Sequence, residues 1–229
     1  MLEDLRAQVL EANLELVRRG LVLYTFGNAS GISQAEGLVA IKPSGVPYEG
    51  MRPEHLVITD LDGRIVEGAL RPSSDLATHL VLYRAFPGIG GVVHTHSRFA
   101  TAWAQARRPI PCLGTTHADY FRGPVPVTEA LNAEAIAGAY ETNTGEVIAR
   151  CCGARGADDV PAVLVAGHGP FCWGASAAEA AHHAVILEYV AEMSYYSVTL
   201  AGQPVELSQP HLDKHFFRKH GATAHYGQK

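Results

Sequence analysis

Charge is scarce in this 229-residue sequence. Lys, Arg, Asp and Glu together make up 18%, against about 25% in an average soluble protein. The hydrophobic fraction, 47%, is ordinary, so the chain can bury a core; a disordered or low-complexity tract is excluded. Positive charge is not in excess either. A net charge of -5 leaves no basic footprint for nucleic acid or for an anionic membrane surface. Cysteine is limited to Cys112, Cys151, Cys152 and Cys172, without a CxxC pair or a disulfide-framework spacing, so these read as free thiols of a reducing compartment. No long apolar run occurs. The longest uncharged stretch, Val160 to Ala178, is interrupted by Pro161, Gly167, Gly169, Pro170 and Gly174, which argues against a membrane helix. The opening Met1-Leu2-Glu3-Asp4-Leu5-Arg6 places acids where a secretory signal would need an apolar core. A cytoplasmic protein is expected.

What is abundant is histidine, with 12 copies beside 23 carboxylates. It is the side chain most used both as a metal ligand and as a proton carrier near neutral pH.

Apolar residues recur at helical spacing from Leu2 to Val17 and stop at Gly20, which predicts an opening amphipathic helix. Leu38–Lys42 reads as a strand, and Leu56–Thr59 and Arg64–Glu67 flank an Asp62-Gly63 hairpin turn. Helices are expected over Asp75–Phe86, Arg98–Ala106 and Thr128–Tyr140, from the capping box at Ser176 to about Leu200, and over His211–His220. Further strands are expected at Gly91–His96, Glu146–Arg150 and Ala162–Ala166, with Cys151–Asp159 a surface loop. Interleaved strands and helices with a hairpin among them imply an α/β fold on a mixed sheet. The length suits one domain, residues 1–229.

The sharpest chemical signal is His94-Thr95-His96. Residues two apart on a strand share a face, so both imidazoles can converge on one ion. The pair alone reads more readily as two surface or core histidines. His168, in a Gly167-His168-Gly169-Pro170 turn, adds a third donor, and three His with an open position is the pattern of a catalytic zinc site. Asp75 and His79 lie one helical turn apart; the carboxylate can be a fourth ligand, a base beside the metal, or simply a favourable charge in the first turn. Lys42-Pro43-Ser44-Gly45 and Ser73-Ser74 join a cation, hydroxyls and free backbone N–H groups suited to phosphate, but taken singly each is more often a plain turn or cap. The Gly27-Asn28-Ala29-Ser30 stretch is likewise a loop or a ligand contact.

Taken in order, the segments GNAS (27–30), KPSGV (42–46), RPSSD (71–75), GGVVHTHSR (90–98), GTTHADYF (114–121), HGPFCWG (168–174), LDKHFFRKHGA (212–222) and YGQ (226–228) closely resemble the L-ribulose-5-phosphate 4-epimerases of the class II aldolase and adducin head superfamily. The resemblance implies a three-layer α/β/α fold around a mixed, largely antiparallel sheet. It implies a divalent metal, usually Zn2+ and otherwise one such as Mn2+, on His94, His96 and His168 with Asp75. A sugar phosphate would be held by Asn28, Lys42, Ser44, Gly45, Ser73 and Ser74. Asp119 and Tyr226 would be the acid–base pair, assisted by His215, in active sites between the subunits of a homotetramer. The implied reaction is C4 epimerisation by cleavage and re-formation of C3–C4, in arabinose catabolism. A fuculose-phosphate-type aldolase and a non-catalytic adducin-like domain are the alternatives. The aldolases tend to carry Glu where Asp75 stands, and an adducin-like domain would have lost the ligands.

Overall fold

The computed structural model describes residues 2–153, 157–221 and 224–225. After helix α1 (Leu2–Arg18) come strands β1 (Asn28–Ser33) and β2 (Leu38–Ile41), a 3-10 turn at Pro53–His55, and strands β3 (Val57–Asp60) and β4 (Ile65–Glu67). Helix α2 (Leu76–Ala85), β5 (Gly91–His94), α3 (Arg98–Gln105), α4 (Thr115–Ala118), α5 (Ala133–Ala137) and α6 (Tyr140–Cys152) follow. The chain closes with β6 (Ala162–Leu164), β7 (Pro170–Gly174), α7 (Ala177–Ala201) and α8 (Gln209–Lys219).

The strands form one sheet in the order β4-β3-β2-β1-β5-β7-β6. Every ladder is antiparallel. The parallel component expected from the sequence is confined, among the described residues, to an isolated bridge between Val127 and Leu164. Strand alternation sends Ala29, Ala40, Ile58, Val93 and Cys172 into the core under α1, α3 and α7. It sends Val39, Ile41, Val92, Phe171 and Trp173 into a second core under α2 and α6. A sheet with both faces covered by helices is the three-layer α/β/α arrangement.

Several expectations fail locally. Glu146–Arg150 is not a strand but the middle of α6, whose β-branched Val147 and Ile148 are buried at helical spacing. The helix expected over Thr128–Tyr140 shrinks to α5: Asn132 caps it by accepting from the Ala135 N–H, and Gly138 ends it. Cys151 and Cys152 are the last turn of α6 rather than loop, and part of the remaining segment, 154–156, lies outside the described residues. The strand expected over Gly91–His96 stops at His94, so His96 stands just beyond the sheet edge.

Two glycines set spacing that matters for the site. A Cβ on Gly145 would meet Val81 Cβ at 2.6 Å, so α6 lies against α2 at a distance only glycine permits. Gly27 has φ of +96° and its Cβ would meet the His94 carbonyl oxygen at 2.8 Å; the chain entering β1 can pass over β5 there only without a side chain.

Candidate metal and sugar-phosphate site

At the end of the sheet where β1 begins and β5 ends, a cavity of about 400 Å³ opens. Register makes it: Asn28 pairs with His94, and His94 pairs with Phe171, so three adjacent strands place those side chains in one row. The Pro43–Pro72 bridge then carries the segment before α2 alongside the end of β2. All ten residues expected to bind metal or phosphate line this one cavity: Asn28, Lys42, Ser44, Gly45, Ser73, Ser74, Asp75, His94, His96 and His168.

The three histidines face one another. Each offers a ring nitrogen, and these atoms lie within 4.8 Å of one another. His94 Nδ1 is 3.0 Å from the Pro170 carbonyl. A carbonyl can only accept, so Nδ1 carries the proton and Nε2 presents a bare lone pair. That lone pair is 3.1 Å from His96 Nε2. The His94 ring is stacked on Phe171, 4.2 Å between centroids, which fixes its plane. Burial pushes His94 down to about 3 and also lowers His96 and His168, so all three are neutral near pH 7. Neutral imidazoles aimed at a common point, beside a carboxylate, fit a divalent cation such as zinc.

Asp75 occupies the N-cap position of α2 but its side chain caps nothing. The carboxylate instead accepts from Asn28 Nδ2 at 2.7 Å. Burial works to raise its pKa; the neighbouring His94 and His79 rings and the Asn28 amide outweigh that and hold it below the ordinary carboxylate range.

Lys42 is 2% exposed, yet it makes no ion pair with any described carboxylate. Its Nζ lies 4.8 Å above the Tyr48 ring and 3.2 Å from the Pro43 carbonyl; burial lowers its pKa to about 8. Tyr48 is itself fixed by donating to the Gly27 carbonyl at 2.8 Å. A buried cation without a counter-ion among the described residues, in one cavity with Ser44, Ser73 and Ser74, is suited to a phosphate dianion.

Two of the catalytic residues expected from the resemblance, Asp119 and His215, lie elsewhere. Asp119 and His215 do meet, Oδ1 to Nδ1 at 3.0 Å, but neither lines this cavity. Arg218 binds the same carboxylate through Nε at 3.0 Å and Nη2 at 2.6 Å, with Lys219 Nζ at 3.4 Å. Burial acts to raise the Asp119 pKa, and the Arg218 and His215 hydrogen bonds with the neighbouring positive charge reverse it. Tyr226 lies outside the described residues.

Sequence reasoning missed Thr25, Phe26, Tyr140 and Glu141, which also line the cavity. Tyr140 Oη is 3.4 Å from His168 Nδ1, and the Phe26 ring centroid is 6.3 Å from that of His96. Tyr140 and Glu141 open α6, held there by Thr78 Oγ1 donating to the Glu141 carbonyl at 2.6 Å. The Gly138 that precedes them was the available signal that one helix ends and another starts.

The fold agrees with what known proteins show. Residues 7–195 match the family described as Class II Aldolase and Adducin N-terminal domain, and the chain belongs to that family. Among solved structures, an L-fuculose 1-phosphate aldolase is 26% identical with a TM-score of 0.77, over 93% of this chain and 94% of that one. The L-fuculose-1-phosphate aldolase of Thermus thermophilus is 27% identical with a TM-score of 0.69, over 89% of this chain and 100% of that one. A sugar-phosphate aldolase of Thermotoga maritima, 18% identical with a TM-score of 0.66, over 88% of this chain and 97% of that one, shares the fold. No described helix is long and apolar enough to cross a membrane.

Proposed function

We propose that this protein is a metal-dependent sugar-phosphate 4-epimerase that interconverts L-ribulose 5-phosphate and D-xylulose 5-phosphate. The observation that carries this reading is the single cavity in which Lys42 and the Ser44, Ser73 and Ser74 hydroxyls face His94, His96, His168 and Asp75. One end suits a phosphate and the other suits the oxygens of a ketose.

The hydrogen on C4 of such a substrate is β to the ketone and is not acidified by it. Cleaving C3–C4, turning the aldehyde fragment and re-forming the bond inverts C4 without removing that hydrogen. His94, His96 and His168, with Asp75, would hold the cation, which when bound supplies Lewis-acid stabilisation of charge on the ketose oxygens. Lys42 and the serines keep the phosphate of the glycolaldehyde phosphate fragment in place while its aldehyde turns over. Asn28 donates to Asp75 and Ser73 and so ties the phosphate side of the cavity to the metal side.

Two further groups must take and return the proton of the C4 hydroxyl. The resemblance assigns these to Asp119 and Tyr226, with His215 assisting, in active sites between the subunits of a homotetramer. That Asp119 is absent from the cavity of its own protomer supports its serving the cavity of a neighbour. One catalytic unit, residues 1–229, and a role in arabinose catabolism belong to the same reading.

A coupled assay of D-xylulose 5-phosphate formation with added Zn2+ or Mn2+ tests it. Turnover without free glycolaldehyde phosphate is the expected result. Accumulation of that aldehyde, or no turnover, overturns the epimerase reading. The likeness to the fuculose-phosphate aldolases favours one second reading: an aldolase that releases its aldehyde.

A further inference from the structure

Charges, hydroxyls and imidazoles account for most of the cavity lining, and one side chain stands apart from them. Among the described residues that line it, Phe26 alone has a large side chain with no polar atom. It is 57% exposed, and Leu23 and Tyr24 just before it are more exposed still. Large apolar side chains clustered in solvent mark a surface that meets something, and this cluster borders the site itself.

The backbone on both sides of Phe26 is pinned. Its N–H donates to the Leu23 carbonyl at 3.0 Å, and between them Tyr24 sits at φ +52°, a left-handed conformation that residues other than glycine rarely adopt. Gly27 follows, so close to β5 that a Cβ would lie 2.8 Å from the His94 carbonyl oxygen. The Gly27 carbonyl accepts from the Tyr48 hydroxyl at 2.8 Å, and Asn28 is already paired with His94 in the sheet. The Phe26 ring meets Tyr24 edge to face, with centroids 6.3 Å apart, and lies 6.3 Å from the His96 ring. A constrained turn thus holds an apolar ring on the side of the metal-binding histidines.

An epimerase that works through C3–C4 cleavage has a requirement that an aldolase lacks. On cleavage the bonding pair stays with the three-carbon fragment, the C4 hydroxyl proton passes to a base, and C4 becomes the aldehyde carbon of glycolaldehyde phosphate. If the aldehyde escapes and the three-carbon fragment takes up a proton, the products are glycolaldehyde phosphate and dihydroxyacetone, which together hold all the atoms of the substrate. The phosphate end has Lys42 and the serines; the aldehyde end must be confined and still be free to turn. A hydrocarbon wall meets both demands, because it excludes water and offers no hydrogen bond that would arrest the rotation. We propose that Phe26 is a specificity-determining residue: its ring walls the metal side of the cavity mouth and retains the aldehyde fragment, so that re-addition outruns release. This inference rests on the cleavage reading of the proposed function.

Product counting tests it. Zinc-loaded wild type, Phe26→Ala and Phe26→Leu are given L-ribulose 5-phosphate, and free glycolaldehyde phosphate is measured against D-xylulose 5-phosphate. Wild type should release little. Phe26→Ala should raise the ratio by roughly tenfold or more, the scale on which an apolar contact discriminates, and Phe26→Leu, with a shorter apolar wall, should fall between. Binding without turnover gives a second readout: Phe26→Ala should hold glycolaldehyde phosphate more weakly than wild type while binding inorganic phosphate and Co2+ equally well. Should Phe26→Ala not fold, Phe26→Leu carries the same comparisons. A folded variant with the wild-type product ratio and wild-type glycolaldehyde phosphate affinity overturns the retention role alone. So does equal weakening of inorganic phosphate and Co2+ binding, which would make Phe26 a structural support of the site. Wild type that releases its aldehyde freely, or does not turn over, overturns the epimerase reading and this inference with it.

Discussion

His94 and His96 bring their Nε2 atoms to 3.1 Å from each other while the opposite nitrogen of His94 is committed to the Pro170 carbonyl at 3.0 Å. The bond to Pro170 comes from β7, the neighbour of β5 in the sheet. The strand ladder that positions His94 thus also fixes its tautomer, and its lone pair is aimed as a metal ligand would need before any ion is bound. Preorganisation of this kind removes both a rotamer and a tautomer search from metal binding.

His96 is the candidate ligand to test first, because it stands past the end of β5 and is exposed. His96→Ala leaves the Phe171 stack and both cores untouched, so its thermal unfolding should change little. Its zinc content per chain, measured after gel filtration, should drop to a small fraction of wild type. The loss of affinity should exceed the roughly 10–100-fold that follows from removing a bracing group. Chelation of the wild-type protein should abolish activity in the same way, with recovery on adding Zn2+ back.

Lys42 would give the proposed phosphate cradle a pH dependence. Its pKa is lowered to about 8 by burial, so the charge is present at neutral pH and is lost as pH rises through that value. KM for a sugar phosphate should therefore climb above about pH 8, with kcat changing less. A charge-assisted hydrogen bond contributes roughly 1.5–3 kcal/mol, and Lys42→Met should raise KM by roughly tenfold or more at pH 7 and flatten the alkaline limb. Folding shows the opposite sign. The folded state binds this proton less tightly than the unfolded chain does, so the buried cation opposes folding below its pKa, and Lys42→Met should raise the unfolding midpoint at pH 7. A variant with wild-type KM across the pH range would remove Lys42 from the cradle.

Most of this site was legible because its residues come in short contiguous strings. KPSG, RPSSD and HTH each carry several groups to one place, and a local string survives errors in the surrounding elements. The same locality explains the misses. Tyr140 and Glu141 reach the cavity only because α6 packs on α2 through Gly145, a tertiary fact with no local motif, and β-branched Val147 and Ile148 gave that segment a strand-like look. Strand β1 was hidden because Asn28–Ser33 is made of small and polar residues; Gly31 has no room for a side chain under Val9 Cγ2, which a Cβ would meet at 2.8 Å. His79 was placed on the face of Asp75 by spacing alone, but its hydrogen bond to Ser30 Oγ reaches across to β1 and could not be read locally.

Gly145 supplies a stability test of the α2–α6 contact. Gly145→Ala favours the helix by intrinsic propensity, by about 1 kcal/mol, but drives a Cβ to 2.6 Å from Val81 Cβ and 3.1 Å from the Thr78 carbonyl. Overpacking typically costs about 1–3 kcal/mol, so urea unfolding should show net destabilisation. The displaced α6 also moves Tyr140 and Glu141, and KM should rise even where the variant remains folded. A more stable Gly145→Ala would mean that the helices part without strain.

Asp119 offers the last test, since one side chain is asked to serve two ends. Within its protomer it receives the paired Arg218 hydrogen bonds and the His215 contact, and these hold its pKa below the ordinary value against the effect of burial. Stability from an acid with a depressed pKa is complete above the unfolded value, near 3.9, and is lost as pH falls through the folded one. Asp119→Asn should therefore lower the unfolding midpoint at pH 7, with the difference from wild type shrinking in strong acid. If Asp119 also acts on the C4 hydroxyl in a neighbouring subunit's cavity, the variant should keep its zinc and lose most of its turnover, well beyond what the stability change explains. The neutral amide retains a hydrogen-bonding shape but cannot take a proton. Full turnover in a folded, zinc-loaded Asp119→Asn would confine the residue to bracing α4 against α8 and return the proton-transfer role to another group.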